Sequence, residues 1–137
     1  MPYILTWESE SSIWCQFYGS VDFDDVNDAT NEFYNDYRSD FVTDALWDFS
    51  QATEVVISTM EASVMAATDF AASTYMKPLK SAFVTSNPAL SQLVNVYIRD
   101  MDKLGSPWTN QLFQTVGEAK NWMKKNVQNS SPTVPNA

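Results

Sequence analysis

Residues 3–21, YILTWESESSIWCQFYGSV, decide the fold. Residues 3–7 and 13–21 are rich in aromatic and β-branched side chains and read as two strands. Between them Glu8-Ser9-Glu10-Ser11-Ser12 is polar and short enough to close an antiparallel hairpin. Alternation on the second strand puts Ile13, Cys15, Phe17, Gly19 and Val21 on one face, the expected core. Trp14, Gln16, Tyr18 and Ser20 share the other face. If helices cover mainly one side of the sheet, Trp14 and Tyr18, with Tyr3 or Trp7 beside them, line an open contact surface. If further helices or curvature close that side, the same rings are core.

Outward from the hairpin the period becomes helical. Val26, Ala29, Phe33 and Tyr37 fall on one stripe of a helix from Asp24 to about Tyr37, capped by Asp22 or Asp24. Residues 44–49 (DALWDF) make a third strand. Ser58-Thr59-Met60-Glu61 has the form of a capping box, in which the serine oxygen accepts an amide and the glutamate returns the bond. The VMAATDFAAS that follows is small and mostly apolar, so this second helix should lie close to the sheet, and Lys77-Pro78 ends it. Residues 81–85 form a fourth strand. Asn87-Pro88 opens a third helix whose buried stripe is Leu90, Leu93, Val94, Tyr97, Met101 and Leu104, and Gly105 stops it. A short strand over 111–114 and a helix from Thr115 to about Val127 complete one domain, residues 1–127. Thr115 and Glu118 offer its capping box, and Ala119, Trp122 and Met123 its contacts. Residues 128–137 read as a mobile polar tail. The order β-β-α-β-α-β-α-β-α predicts an α/β fold with a mixed sheet.

Composition narrows the chemistry. The chain of 137 residues carries 8 basic and 17 acidic side chains, a formal net charge of −9, which repels a nucleic-acid backbone and an anionic membrane alike. No apolar run is long enough to span a bilayer, and the start has no basic segment of a secretory signal. The single cysteine, Cys15, has no partner within the chain, which fits a reducing cytoplasm. The chain has no histidine, which removes the commonest general base, the commonest zinc ligand and every serine–histidine or cysteine–histidine pair. Asp22-Phe23-Asp24-Asp25-Val26-Asn27-Asp28 resembles the start of a calcium loop. Such a loop needs glycine sixth and glutamate twelfth, where this chain has Asn27 and Phe33. No metal, cofactor or catalytic residue is therefore expected.

Three segments carry a family resemblance. Leu46-Trp47-Asp48-Phe49-Ser50 is similar to the central strand of STAS or SpoIIAA-like domains, the fold of anti-sigma factor antagonists. Ser81-Ala82-Phe83-Val84-Thr85 resembles the strand after their regulatory helix. Phe113-Gln114-Thr115-Val116-Gly117-Glu118-Ala119-Lys120-Asn121-Trp122 resembles the ending of small bacterial members. The likeness runs to about Lys125. It implies a bacterial regulatory module that works by protein contacts, including a homodimer, or else binds a small apolar ligand or lipid between sheet and helices. Met60, Met65, Phe70 and Met76 are candidates to soften such a pocket. Members that act as phospho-switches carry Asp-Ser-Ser-Gly at the start of the regulatory helix. The matching positions here are Val56, Ile57, Ser58 and Thr59, so only Ser58 agrees. Ser58 with Thr59 is thus a helix cap by its own chemistry and a switch by resemblance.

Overall fold

The computed structural model describes residues 2–130. The hairpin is present as β1 (Tyr3–Ser9) and β2 (Ser12–Asp22). After it come α1 (Phe23–Asn35), a 3₁₀ turn (Tyr37–Phe41), β3 (Asp44–Val56), α2 (Thr59–Ser73) and β4 (Lys80–Val84). The chain continues through α3 (Pro88–Leu104), β5 (Thr109–Phe113) and α4 (Val116–Ser130). Of the tail expected over 128–137, residues 128–130 belong to α4, and 131–137 lie outside the described residues.

The strands lie in chain order, β1-β2-β3-β4-β5, with β1–β2 antiparallel and the other pairs parallel. This order dictates where the helices go. Each of the three crossovers steps one strand in the same direction, so connections of one hand place their helices on one face. The core agrees. Phe33 of α1, Ala66 and Ala72 of α2, and Tyr97 and Met101 of α3 join Ile13 and Ala45 of the sheet in one cluster. Among the described residues α4 leads to no further strand, so that rule does not place it. Ala119 and Met123 of α4 pack on Leu46, Ala82 and Val84, which alternate with the first set and face the opposite side. The expectation of helices mainly on one face therefore holds for α1–α3.

Local chemistry sets the boundaries. Asp22 accepts the Asp25 amide at 2.9 Å and Asp25 returns a bond to the Asp22 amide, so the acid-rich segment is a helix start. Asn87 Oδ1 accepts from the amides of Ala89 and Leu90, with Pro88 opening α3. Gly105, at φ +84°, takes the left-handed cap that suits glycine, and Ser106 donates back to the Met101 carbonyl.

Four expectations are corrected. Tyr37 does not extend the α1 stripe. The helix stops at Asn35, where Asp36 caps the following turn and holds Arg38 at 2.7 Å, leaving Tyr37 79% exposed. Leu104, at the end of α3, is likewise exposed. Tyr3 and Trp7 do not accompany Trp14. The hairpin register pairs Tyr3 with Phe17 and Trp7 with Ile13, and directly paired residues share a face, so both rings lie under the helices. β3 also runs past residue 49 to Val56. Its polar second half is held along the far end of β2 through register shifts after Gln16 and Gly19.

Phe33 is the hub of the aromatic core, with ring centroids 6.0 Å from Trp7, 5.4 Å from Tyr34 and 6.2 Å from Trp47. Phe33→Ala should lower the unfolding free energy by about 3–5 kcal/mol, read from denaturant titration.

Candidate functional site

The start of α2 lies just beyond the end of β3. Ser58 is its N-cap: its Oγ accepts the Glu61 amide at 3.1 Å, and its own amide donates to Glu61 Oε1 at 2.9 Å. Ser58 and Thr59 are both exposed. A phosphate on Ser58 would meet the free amides of the helix start, but it would also stand against the Glu61 carboxylate. Around this cap three apolar side chains face outward. Val56 is 57% exposed, Met60 77% and Val64 48%. Met60 and Val64 stand one turn apart on one side of α2, so they form a stripe.

Trp14 and Tyr18 lie across the sheet from α2, and both are half-buried. The Trp14 indole donates to Asp48 Oδ2 at 3.1 Å, and Lys120 Nζ of α4 sits 3.9 Å from the ring centroid. One side of Trp14 is therefore covered by the last helix. The Tyr18 amide donates to the Pro2 carbonyl at 2.7 Å.

The third feature is a cavity in the place the family resemblance implied for an apolar ligand, with a buried acid that the residues did not foretell. A partly open cavity of about 80 Å³ lies between the sheet and α1, α2 and α3, walled mainly by Phe33, Trp47, Phe49, Phe83 and Trp108. Asp69 of α2 also lines it. Tyr34 of α1 donates to Asp69 Oδ1 at 2.6 Å, and Tyr97 of α3 donates to Oδ2 at 2.6 Å. One carboxyl thus ties three helices. Burial pushes the Asp69 carboxyl above the usual carboxylate range, against the pull of the two phenols. Burial, then the charge of Asp69, pushes both phenols upward as well. The sequence held a weak signal for this, one acid within the small apolar run 64–73. Of the methionine and phenylalanine set proposed to soften a pocket, Met65 lines the cavity, while Phe70 and Met76 pack on the core. Met60 points to solvent, because its helix position lies on the side away from the sheet.

Burial drives the Cys15 thiol up, away from the reactive thiolate. Among the described residues no group of three or more Cys, Asp or Glu side chains is placed to hold a metal ion.

No family model matches the chain, and no curated protein matches its sequence. Solved structures do. The anti-sigma factor antagonist SpoIIAA in its unphosphorylated form superposes with a TM-score of 0.57 at 12% identity, covering 89% of this chain and 97% of that one. This chain has the SpoIIAA fold. The Bacillus cell fate determinant SpoIIAA in its phosphorylated form agrees, with a TM-score of 0.54, 15% identity and coverage of 88% and 98%. At such identities the SpoIIAA likeness is one of architecture, the five-stranded sheet and four helices described above.

Tyr34→Phe or Tyr97→Phe should each lower stability by about 1.5–3 kcal/mol, since each removes a donor to a buried acid. A second expectation concerns pH. With its folded value raised, Asp69 contributes stability that is full below the unfolded carboxylate range and is lost as pH rises through the folded value. The unfolding free energy of the wild type relative to Asp69→Asn should therefore fall as pH rises from the acidic range toward neutral.

Proposed function

We propose that this chain is a non-catalytic regulatory module that works by protein contact, through the outward face at the start of α2. The observation that carries this reading is the exposure of Val56, Met60 and Val64 around the Ser58–Thr59 cap. Apolar side chains gathered at one helix start are unfavourable in water and gain when a partner covers them. The likeness to an anti-sigma factor antagonist supports a partner that is itself a protein. The net charge of −9 favours a partner with a basic rim. A second copy of the chain is one form the partner could take. Trp14 and Tyr18, on the opposite face, form a lesser contact surface, since α4 already covers part of it. Ser58 acts first as the cap of α2, and phosphorylation there would modulate the same surface.

A reducing bacterial cytoplasm suits the free, buried Cys15. Among the described residues no helix is long and apolar enough to cross a membrane. The cavity favours a second role, binding of a small apolar ligand.

The contact reading is tested with a photo-crosslinking amino acid placed at position 60 in living cells, with position 118 of α4 as control. A discrete adduct from position 60, absent from 118 and abolished by Val64→Asp, is expected. An adduct of twice the chain mass identifies self-association. Failure to form a discrete adduct at 60, or the same adducts from 118, contradicts the proposal. Val64→Asp by itself should change stability by no more than about 0.5 kcal/mol, since the position is exposed.

A further inference from the structure

The cavity between the sheet and α1–α3 contains polar capacity that the protein itself leaves unused. Trp108 lines it, is 6% exposed, and has an indole N–H with no hydrogen-bond partner among the described residues. A buried donor without an acceptor is costly, so such groups are rare unless something else fills the role. Asn110, just past Thr109, is paired across the sheet with Ser81, which lines the same cavity. Both amide atoms of Asn110 are also buried and unpartnered. On α2, the Asp69 carboxyl accepts one hydrogen bond from each of two phenols but has lone pairs to spare, because a carboxylate can accept about four hydrogen bonds.

These groups specify a ligand. An unmet N–H calls for an acceptor, and the spare lone pairs of Asp69 call for a donor. A hydroxyl supplies both. The aromatic walls call for an apolar body, and the volume limits it to about the size of a single ring entering from the open side. An anion is disfavoured twice, by Asp69 and by the overall charge of −9. A cation would match Asp69 but leave the indole donor unmet, and it would bring a charge into a cavity whose lining is mostly apolar.

We propose that this cavity binds a small, uncharged, largely apolar molecule with a hydroxyl head, which donates toward Asp69 and accepts from the Trp108 indole. This rests on the small-ligand reading of the cavity and names its chemistry. It is independent of the contact surface on α2.

The test is a titration of the ¹⁵N-labelled protein with three probes of one body: benzyl alcohol, benzylamine and benzoate. The indole signal of Trp108 is assigned by its loss in Trp108→Phe. Benzyl alcohol is expected to move that signal downfield and to saturate at millimolar concentration, with benzylamine weaker and benzoate without effect. Trp108→Phe should weaken benzyl alcohol binding about tenfold, the scale of one buried hydrogen bond. Tighter binding of benzylamine or benzoate, with the Trp108 signal shifting, keeps the ligand cavity and overturns the neutral hydroxyl head. No shift at Trp108 with any of the three overturns both. The wild-type titration decides between these outcomes even where the variant is poorly folded, because the Trp108 signal can then be assigned from backbone experiments.

Discussion

Helices built from small residues can approach a sheet closely, but they bury little apolar area in doing so. α2 is such a helix, with Ala62, Ala66, Ala72 and Ser73 as its buried positions. Besides that packing it is held by the pair of 2.6 Å hydrogen bonds that Tyr34 and Tyr97 donate to Asp69, and by the 2.7 Å bond that Ser63 donates to Asp100 of α3. A buried acid is an expensive way to hold a helix, and it is tolerable here because each oxygen accepts a hydrogen bond from a flanking helix. The cost is partly retained in the upward push on the carboxyl. With the inner side held in this manner, the outer side of the first two turns is not needed for folding. Met60 and Val64 can therefore stand in water without loss to the core.

The sheet order explains the rest of the layout. Chain-order strands send α1, α2 and α3 to one face, where they enclose both the aromatic core and the cavity. α4, released from that constraint, covers the other face around Leu46, Ala82 and Val84. Lys80 fastens it by donating to the Trp122 carbonyl at 2.7 Å. The two faces therefore carry different chemistry: a buried tie and a cavity on one, a half-covered Trp14 with its Lys120 cation on the other.

What could be read in the residues was mostly local. Capping signals such as Ser58 with Glu61, Asn87 with Pro88, and Gly105 act within one turn, so the corresponding helix ends were legible. The hairpin and the alternation of β2 were legible for the same reason. Features that depend on partners distant in sequence were not. The polar extension of β3 is a strand because β2 runs beside it, and the facing of Tyr3 and Trp7 follows from a register no single strand reveals. Tyr34 and Tyr97 each fit an ordinary helix position, and only their meeting at Asp69, across 35 and 28 residues respectively, makes them a site. Trp108 and Asn110 become informative once burial is known, since an unmet hydrogen bond is a property of the fold.

The claim most exposed to test is that the Asp69 tie makes the three helices one cooperative unit. Native-state hydrogen exchange across a denaturant series measures this directly. The account predicts that amides near Tyr34, Asp69 and Tyr97 exchange with one common opening free energy, close to that of global unfolding. If the amides around Asp69 open in a separate, lower-energy event while those of α1 and α3 stay protected, the tie does not hold α2, and the account fails.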